Sequence, residues 1–308
     1  MSTNTTLNNS NTNDATHADA NTNDATPSST ILHHKPLLTF NFKSTKQTTA
    51  RGCQILPNQF NPVYVDGYHG PSNIESLLIH SGYTCLPWKE NQMSFGSKTR
   101  LMLSSYMALL KKTGAKQILV HAPKNQQENE MIDYGLLLLS KVNKTLNNDV
   151  KTKNICFICV ENVYNTMTKS MKTHEELLEF TESLFKKVIN HKLDIVIDTA
   201  HCFANGLNVD DIIYLLNKYK GHYHFIHLNG NMQQQFKPDR HTLILTDGIT
   251  DIQPNLIENC EKLMEFISTL TNVVLICEII YKKYDYWSDL AQKYKLDIIT
   301  EDEFNNAF

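Results

Sequence analysis

The sequence predicts a (β/α)₈ TIM barrel of the α/β class, and three observations support this fold. From about residue 36 onward, short runs of β-forming residues alternate with amphipathic stretches of helical period. There are eight such runs, which is the number of strands that closes this barrel. Metal-binding side chains follow several successive runs, and a barrel collects the carboxyl ends of its strands at one face.

The predicted strands are rich in β-branched and other apolar residues. They cover residues 37–42, 52–56, 83–88, 117–121, 155–161, 194–198, 223–228 and 273–278. Amphipathic spacing predicts helices near residues 71–81, 98–113, 127–146, 173–190, 209–219, 253–269 and 285–295. The connection between the first two strands is short, so we expect a barrel with a reduced first helix.

The first 35 residues have a different composition from the rest of the chain. They consist mainly of Asn, Thr, Asp, Ala and Ser, and the hexapeptide Asn-Thr-Asn-Asp-Ala-Thr occurs at 11–16 and again at 21–26. Almost nothing in this segment can be buried, so we expect a disordered low-complexity tail over 1–35. Residues 36–308 then form the barrel domain.

Composition narrows the class of protein. The chain is 41% hydrophobic and 20% charged, with a net charge of −3, so binding to nucleic acid would need a local basic face. No apolar run is long enough to span a membrane, and the amino terminus lacks the apolar segment of a secretion signal. The seven cysteines are odd in number and lie mostly in apolar runs, as expected for reduced thiols of an intracellular protein.

Side chains that bind divalent metals recur at the ends of the last five predicted strands. His and carboxylate groups together suit Zn²⁺ and its neighbours in the first transition row. A single such residue after a strand usually has a structural role, but burying many ionisable groups together without a cation is costly. The strand-end residues and their followers are His121, Glu161, Asp198, His201, His227, Asp239, His241 and Glu278.

These motifs resemble those of the endonuclease IV-type apurinic/apyrimidinic (AP) endonucleases. Asp198-Thr-Ala-His201, continuing to Gly206, is similar to the family's D-T-C-H-x-F-x-A-G stretch. His227-Leu-Asn, followed by Asp-Arg-His241, is similar to its H-L-N-D and D-R-H elements. Glu161-Asn162 and Glu278 match its E-N-T element and its late glutamate, and the resemblance covers about residues 50–300.

The resemblance implies a zinc enzyme that cleaves the phosphodiester 5′ to abasic sites in double-stranded DNA. Glu161 would be the catalytic residue that bridges two metals and holds the attacking hydroxide, and His121 would serve the first metal. The second metal would be completed by Asp198, His227 and Glu278, and the third would be held by His201, Asp239 and His241. Mn²⁺ is a candidate substitute for Zn²⁺, and we expect a monomer with no membrane partner.

The chain also departs from the family pattern. Trp88 stands where the family has its first zinc-ligating histidine, at the end of the predicted third strand. An indole cannot replace an imidazole as a zinc ligand, so we expect an incomplete first metal site and two to three bound zinc ions. Asn58 and Gln59 match a DNA-probing loop, but Phe60 and Asn91 stand where the family has an arginine and a tyrosine. The resemblance thus implies five DNA-binding positions, which are Asn58, Gln59, Phe60, Asn91 and Arg240.

Two other functions stay open at this stage. Sugar isomerases and epimerases on the same barrel use a Glu-Asp-His-Glu metal site, which Glu161, Asp198, His227 and Glu278 alone would satisfy. His201 and the Asp-Arg-His element are not needed there, and they favour the nuclease. A catalytically impaired homologue that binds DNA or a partner is the second alternative, because of Trp88 and the altered loops.

Overall fold

The structure, a computed structural model, describes most of the region that follows the low-complexity segment. The described residues are 34–43, 52–56, 76–81, 85–88, 98–113, 115–150, 156–232, 240–246, 249, 255, 257–279 and 281–307. They all belong to one unit that spans residues 33–308. The predicted tail, apart from His34 and Lys35, lies outside the described residues, so its disorder and the 35/36 boundary stay predictions.

Eight parallel strands form a closed barrel. They are β1 (Leu37–Lys43), β2 (Gly52–Leu56), β3 (Ser76–His80), β4 (Gln117–His121), β5 (Ile158–Glu161), β6 (Asp194–Asp198), β7 (Phe225–His227) and, after a hairpin, β10 (Val274–Cys277). Each strand pairs in parallel with the next, and β10 also pairs with β1, which closes the sheet. The predicted fold class is confirmed, while the connection between β1 and β2 lies outside the described residues.

Helices surround the barrel. They are α1 (Lys98–Thr113), α2 (Gln126–Glu130), α3 (Ile132–Val150), α4 (His174–Asn190), α5 (Thr199–Ala204), α6 (Val209–Lys218), α7 (Cys260–Ile267), α8 (Tyr284–Lys293) and α9 (Glu301–Ala307), with a 3₁₀ helix at Thr166–Ser170. A hairpin of β8 (Gly230–Asn231) and β9 (His241–Thr242) follows β7, and β11 (Asp297–Ile298) pairs with β1. No helix of the described chain could cross a membrane.

The six predicted helices from residue 98 onward agree with the structure except at a few boundaries. The predicted helix over 127–146 is two helices, because the helical pattern is interrupted at Met131. The predicted helix over 253–269 begins only at Cys260, after Asn259 in the left-handed conformation. Capping residues explain why the first residues of other helices were predicted accurately. At the beginning of α4, for example, the Thr173 hydroxyl accepts a hydrogen bond from the Glu176 backbone amide.

The strand alternation explains how the barrel presents its polar groups. One interior layer is apolar and lies at the level of Leu78, Leu119, Cys159, Val196, Phe225 and Ile276. Side chains two residues apart on a strand point to the same face. The next inward-facing position on each of these strands is therefore at the barrel mouth, and it is occupied by His80, His121, Glu161, Asp198, His227 and Glu278.

The predicted third strand and the helix before it were wrong. β3 covers Ser76–His80, inside the predicted helix 71–81, whereas Cys85 and Leu86 are not in a strand and Trp88 lies in a turn. Ile74, Leu77 and Leu78 have helical spacing, which explains the first error. Cys85, Leu86 and Trp88 are apolar because they are buried, although they do not pair in the sheet.

Candidate metal centre

The elements at the barrel mouth bring the metal-binding side chains together. The strand register places His121 beside Glu161 and Asp198 beside His227. Asp198 also caps α5, because its Oδ1 accepts a hydrogen bond of 3.1 Å from the His201 backbone, so His201 enters the mouth from the first turn of that helix. The β8–β9 hairpin brings His241 to the same place.

The first group of candidate ligands is His80, His121 and Glu161. Glu161 Oε2 lies 3.7 Å from His80 Nε2 and 3.5 Å from His121 Nε2. These separations are too long for hydrogen bonds, and they are close to the roughly 3.4 Å that separates two ligands of a tetrahedral zinc ion with bonds near 2.0–2.1 Å. Glu161 Oε2 is buried, and no hydrogen-bond donor among the described residues reaches it. The geometry and the donor set fit a zinc ion at this position.

The His80 ring is fixed by its other nitrogen. Its Nδ1 lies 2.9 Å from the carbonyl oxygen of Ser81, which can only accept, so Nδ1 carries the proton. Nε2 is then the unprotonated nitrogen that faces Glu161. A backbone carbonyl on the outer nitrogen is a common way for proteins to orient a histidine that binds metal.

The second group combines Glu161, Asp198 and His227, with Glu278 at its edge. His227 Nδ1 lies 2.9 Å from Glu161 Oε1, 3.5 Å from Asp198 Oδ2 and 3.7 Å from Glu278 Oε1. One imidazole therefore faces three carboxylates. His241 Nδ1 and His201 Nδ1 face the same carboxylates, at 3.0 Å from Glu278 Oε2 and 3.3 Å from Glu161 Oε1. Neutral rings leave the carboxylate charges uncompensated, and each uncompensated buried charge costs several kcal/mol. Divalent cations would supply the missing positive charge.

The third group is Asp198, His201 and His241. Asp198 Oδ2 lies 3.6 Å from His201 Nδ1 and 3.7 Å from His241 Nε2. In each of the three groups, one ligand atom per residue can be chosen so that all lie within 4.8 Å of one another. Asp239, the remaining predicted ligand, lies outside the described residues.

Burial and neighbouring charges set the protonation of the centre. Burial lowers the pKa of His80 and lowers the pKa of His121 well below its ordinary value, which favours the neutral rings that bind metal. Burial would raise the pKa of Glu161, but the charge of His227, the hydrogen bonds with His201 and His227 and the charge of His121 together hold that pKa well below the usual range. Burial would lower the pKa of His227, but the surrounding carboxylates of Glu161, Glu278 and Asp198 together raise it.

Two buried asparagines hold the carboxylates in place. Asn229 Nδ2 donates to Asp198 Oδ2 at 3.2 Å and to Glu278 Oε2 at 3.3 Å, while its Oδ1 accepts from the Glu278 backbone at 3.0 Å. Asn162 pairs with both backbone groups of Asp198, because it accepts from the amide at 2.8 Å and donates to the carbonyl at 3.1 Å. These amides fix where the carboxylate oxygens point before any metal binds.

The largest difference between prediction and structure lies at the first group. Trp88 is not at the end of β3 and does not replace a ligand: it is 1% exposed, and a Cβ at Gly135 would lie 2.8 Å from its ring. His80 ends β3 in its place, and the sequence-based prediction missed it. Leu78-Ile79-His80 has the same pattern as Leu119-Val-His121, and this repeat is the signal that could have identified it.

Most of the predicted DNA-binding residues cannot be placed. Asn58, Gln59, Phe60 and Asn91 lie outside the described residues. Arg240 is exposed and directly precedes His241, so its backbone lies at the rim of the mouth. Among the described residues, no disulfide joins the cysteines at positions Cys85, Cys156, Cys159, Cys202, Cys260 and Cys277.

Solved structures share this fold at low sequence identity. Endonuclease IV from Thermus thermophilus matches with a TM-score of 0.57 and 15% identity, over 84% of this chain and 98% of that one. A D-tagatose 3-epimerase-like protein gives 0.51 and 14%, over 83% and 96%. A xylose isomerase domain protein from Alicyclobacillus acidocaldarius subsp. acidocaldarius gives 0.50 and 11%, over 85% and 99%.

No protein-family model matches the sequence, and no curated protein matches it significantly. At these identities the structural matches show the fold alone. They include an endonuclease and sugar-isomerase-type proteins on the same barrel. The chain is therefore a TIM barrel of the kind found in both classes of protein. Its clustered histidine and carboxylate side chains fit metal binding.

Proposed function

We propose that the protein is a zinc-dependent phosphodiesterase that cleaves double-stranded DNA on the 5′ side of abasic sites. The observation that carries the proposal is the third group, Asp198, His201 and His241, beside the other two. A Glu-Asp-His-Glu site for a sugar substrate uses one metal position and gives no reason for His201 and His241 to converge on Asp198. Two or more metals side by side suit phosphodiester hydrolysis, where both attacking and leaving oxygens need stabilisation.

Three sets of side chains would hold the metals. His80, His121 and Glu161 would hold the first, and Glu161, Asp198, His227 and Glu278 the second. The third would be held by His201, His241 and the predicted Asp239, with Asp198 beside them. When bound, Zn²⁺ would supply a hydroxide nucleophile at neutral pH and would stabilise negative charge on the phosphate. Glu161 belongs to two sets, and its two oxygens face different histidines, so it can orient a reacting group between them.

The protein's own polar groups would prepare the site for the substrate. Asn162 and Asn229 hold the carboxylates in position, so little reorganisation is needed when the phosphate arrives. Arg240 at the rim is a candidate phosphate contact, together with the predicted loop residues Asn58, Gln59, Phe60 and Asn91. An abasic nucleotide lacks a paired base, so extruding it from the duplex costs little, and this difference favours abasic sites over intact DNA.

The test is cleavage of a labelled duplex that carries one stable abasic analogue. Protein stripped with a chelator and reloaded with Zn²⁺ should nick the strand on the 5′ side of the analogue and leave a 3′-hydroxyl end. His201→Gln is the matched variant, because it removes a third-group ligand and leaves Glu161, Asp198, His227 and Glu278 intact. We expect it to lose nicking by about 10³-fold, since a metal contributes several kcal/mol to such a transition state.

A sugar isomerase or epimerase is the second candidate, and one observation favours it. Glu161, Asp198, His227 and Glu278 surround a single position, and a D-tagatose 3-epimerase-like protein has the same fold. The test is whether the zinc- or manganese-loaded protein interconverts a ketose and its epimer. This activity, unchanged in His201→Gln and without nicking of abasic DNA, would overturn the nuclease proposal in favour of this candidate.

A further inference from the structure

A glutamine in the wall of the barrel contacts two of the candidate ligands at once. Gln54 lies in β2 and is fully buried. Its Oε1 lies 2.7 Å from His227 Nε2, and its Nε2 donates to Glu278 Oε1 at 3.0 Å. His227 and Glu278 belong to the same proposed metal set, although they come from different strands. Gln54 therefore joins two of its members from a third strand.

The hydrogen bonds of Gln54 fix which nitrogen of His227 keeps its proton when a metal binds. A carboxylate can only accept, so Gln54 must turn its NH₂ group toward Glu278. Its carbonyl oxygen then faces His227 and can only accept, so His227 Nε2 must carry a proton. Nδ1 lies 2.9 Å from Glu161 Oε1, to which it donates when it is protonated, and 3.5 Å from Asp198 Oδ2. When a metal binds, Nδ1 is the nitrogen that gives up its proton and binds the metal.

An amide is the side chain that best meets these requirements. Glutamate at this position would place another carboxylate beside Glu278, and two like charges at hydrogen-bond distance repel. An apolar side chain would leave the buried Nε2–H of His227 without an acceptor, which is unfavourable for a buried donor. Glutamine provides one donor and one acceptor and adds no charge to a mouth that already holds three carboxylates.

We infer that Gln54 is a positioning residue of the metal centre, which holds His227 in its Nε2–H tautomer and keeps Glu278 beside it for the same metal ion. The inference rests on the metal centre of the proposed function and is independent of its substrate. Outer groups that orient metal ligands contribute about 10- to 100-fold to metal affinity in proteins. We expect a loss of this size when Gln54 is replaced.

The test compares two matched substitutions in the full-length protein. Gln54→Met removes both hydrogen bonds at nearly constant volume. Gln117→Met is the control, because Gln117 is also a buried barrel glutamine, at the start of β4, where its Nε2 donates to Asp194 Oδ2 at 2.6 Å. Zn²⁺ affinity is measured by competition with a chelator of known affinity. Gln54→Met should weaken one of the bound ions about 10- to 100-fold, and Gln117→Met should leave all of them unchanged.

A spectroscopic measurement on the wild type keeps the test independent of whether Gln54→Met folds. In ¹⁵N-labelled, zinc-loaded protein, the His227 ring, assigned by loss of its signals in His227→Gln, should show a slowly exchanging proton on Nε2 and a metal-shifted Nδ1. Zinc binding by the wild type with the proton on Nδ1, or equal affinities in Gln54→Met and the wild type, would overturn the inference. A wild type that binds no zinc would instead contradict the metal centre of the proposed function.

Discussion

His80 Nε2 and Glu161 Oε2 face each other at 3.7 Å across the barrel mouth, at the ends of β3 and β5. His121 Nε2 lies 3.5 Å from the same oxygen, so three ligands surround one point. In the proposed metal centre, the first position would therefore have three protein ligands, the number that a catalytic zinc site with an open fourth position requires. This arrangement does not involve Trp88, on which the expectation of an incomplete first site depended.

Replacing His80 should remove one metal. His80→Gln leaves only His121 and Glu161 at the first position, and two ligands hold Zn²⁺ poorly. We expect the zinc content, measured by elemental analysis after dialysis, to fall by about one ion per chain. His222→Gln is the control, because His222 is an exposed histidine outside the mouth. Equal zinc content in His80→Gln and the wild type would show that another residue supplies the ligand.

Replacing Trp88 by histidine should damage the fold and leave the metal content unchanged. Trp88 is 1% exposed and packs against Gly135 of α3, so a smaller polar ring would leave a cavity and bury an imidazole. We expect the free energy of unfolding to fall by about 2–4 kcal/mol, as for other large core truncations. Chemical denaturation measures this change, and elemental analysis measures zinc. A gain of one zinc ion would mean that position 88 lies at the site after all.

The errors at β3 show what local pattern can and cannot predict. Gln117–His121 and Asp194–Asp198 were predicted with correct bounds, because each is an apolar run with clear limits. Residues 76–80 were assigned to a helix, because three apolar residues of the segment 74–78 have helical spacing. In the folded chain the neighbouring strands β2 and β4 pair with this segment, and that tertiary pairing overrides the local preference.

The inner members of the site could be predicted better than the groups that support them. The strand-end residues stood out because ionisable side chains follow apolar runs. Gln54 is a single polar residue inside a strand, and its importance depends on His227 and Glu278, which lie far away in sequence. Asn229 was part of a recognised motif, but its contacts with Asp198 and Glu278 depend on the barrel closure, which no local pattern reveals.

Stability should fall in acid partly because of His224. Burial, followed by the charge of Lys116, lowers the pKa of His224 from 6.5 to about 4. The unfolded chain therefore takes up this proton first, and the folded state loses stability as pH falls from about 6.5 toward 4. Between pH 7.5 and pH 5, the wild type should lose about 2 kcal/mol more than His224→Gln in denaturant titrations of chelated protein.

The neighbouring position provides the control for this pH effect. His222 is exposed, so His222→Gln should follow the wild type across the same range. Both titrations use chelated protein, so that loss of metal in acid does not contribute to the difference. Parallel pH profiles for the wild type and His224→Gln would contradict the burial of the neutral ring.

Arg240 should contribute to DNA affinity through a phosphate. It is exposed at the rim of the mouth, directly before His241. The affinity for abasic duplex should fall as salt rises, and Arg240→Gln should weaken binding and reduce the slope of log affinity against log salt by about one. Fluorescence anisotropy at several salt concentrations measures both. Lys220 is exposed just after α6, so Lys220→Gln is the control. A slope that does not change in Arg240→Gln would show that Arg240 does not contact a phosphate.

The number of zinc ions bound by the wild-type chain is the most direct test of the metal centre. Native mass spectrometry of protein reconstituted with Zn²⁺ counts the ions on each intact molecule. The three groups at the barrel mouth, centred on Glu161 and Asp198, predict three ions per chain. A reconstituted wild type that holds fewer than three would contradict the assignment of the barrel mouth as a three-metal centre.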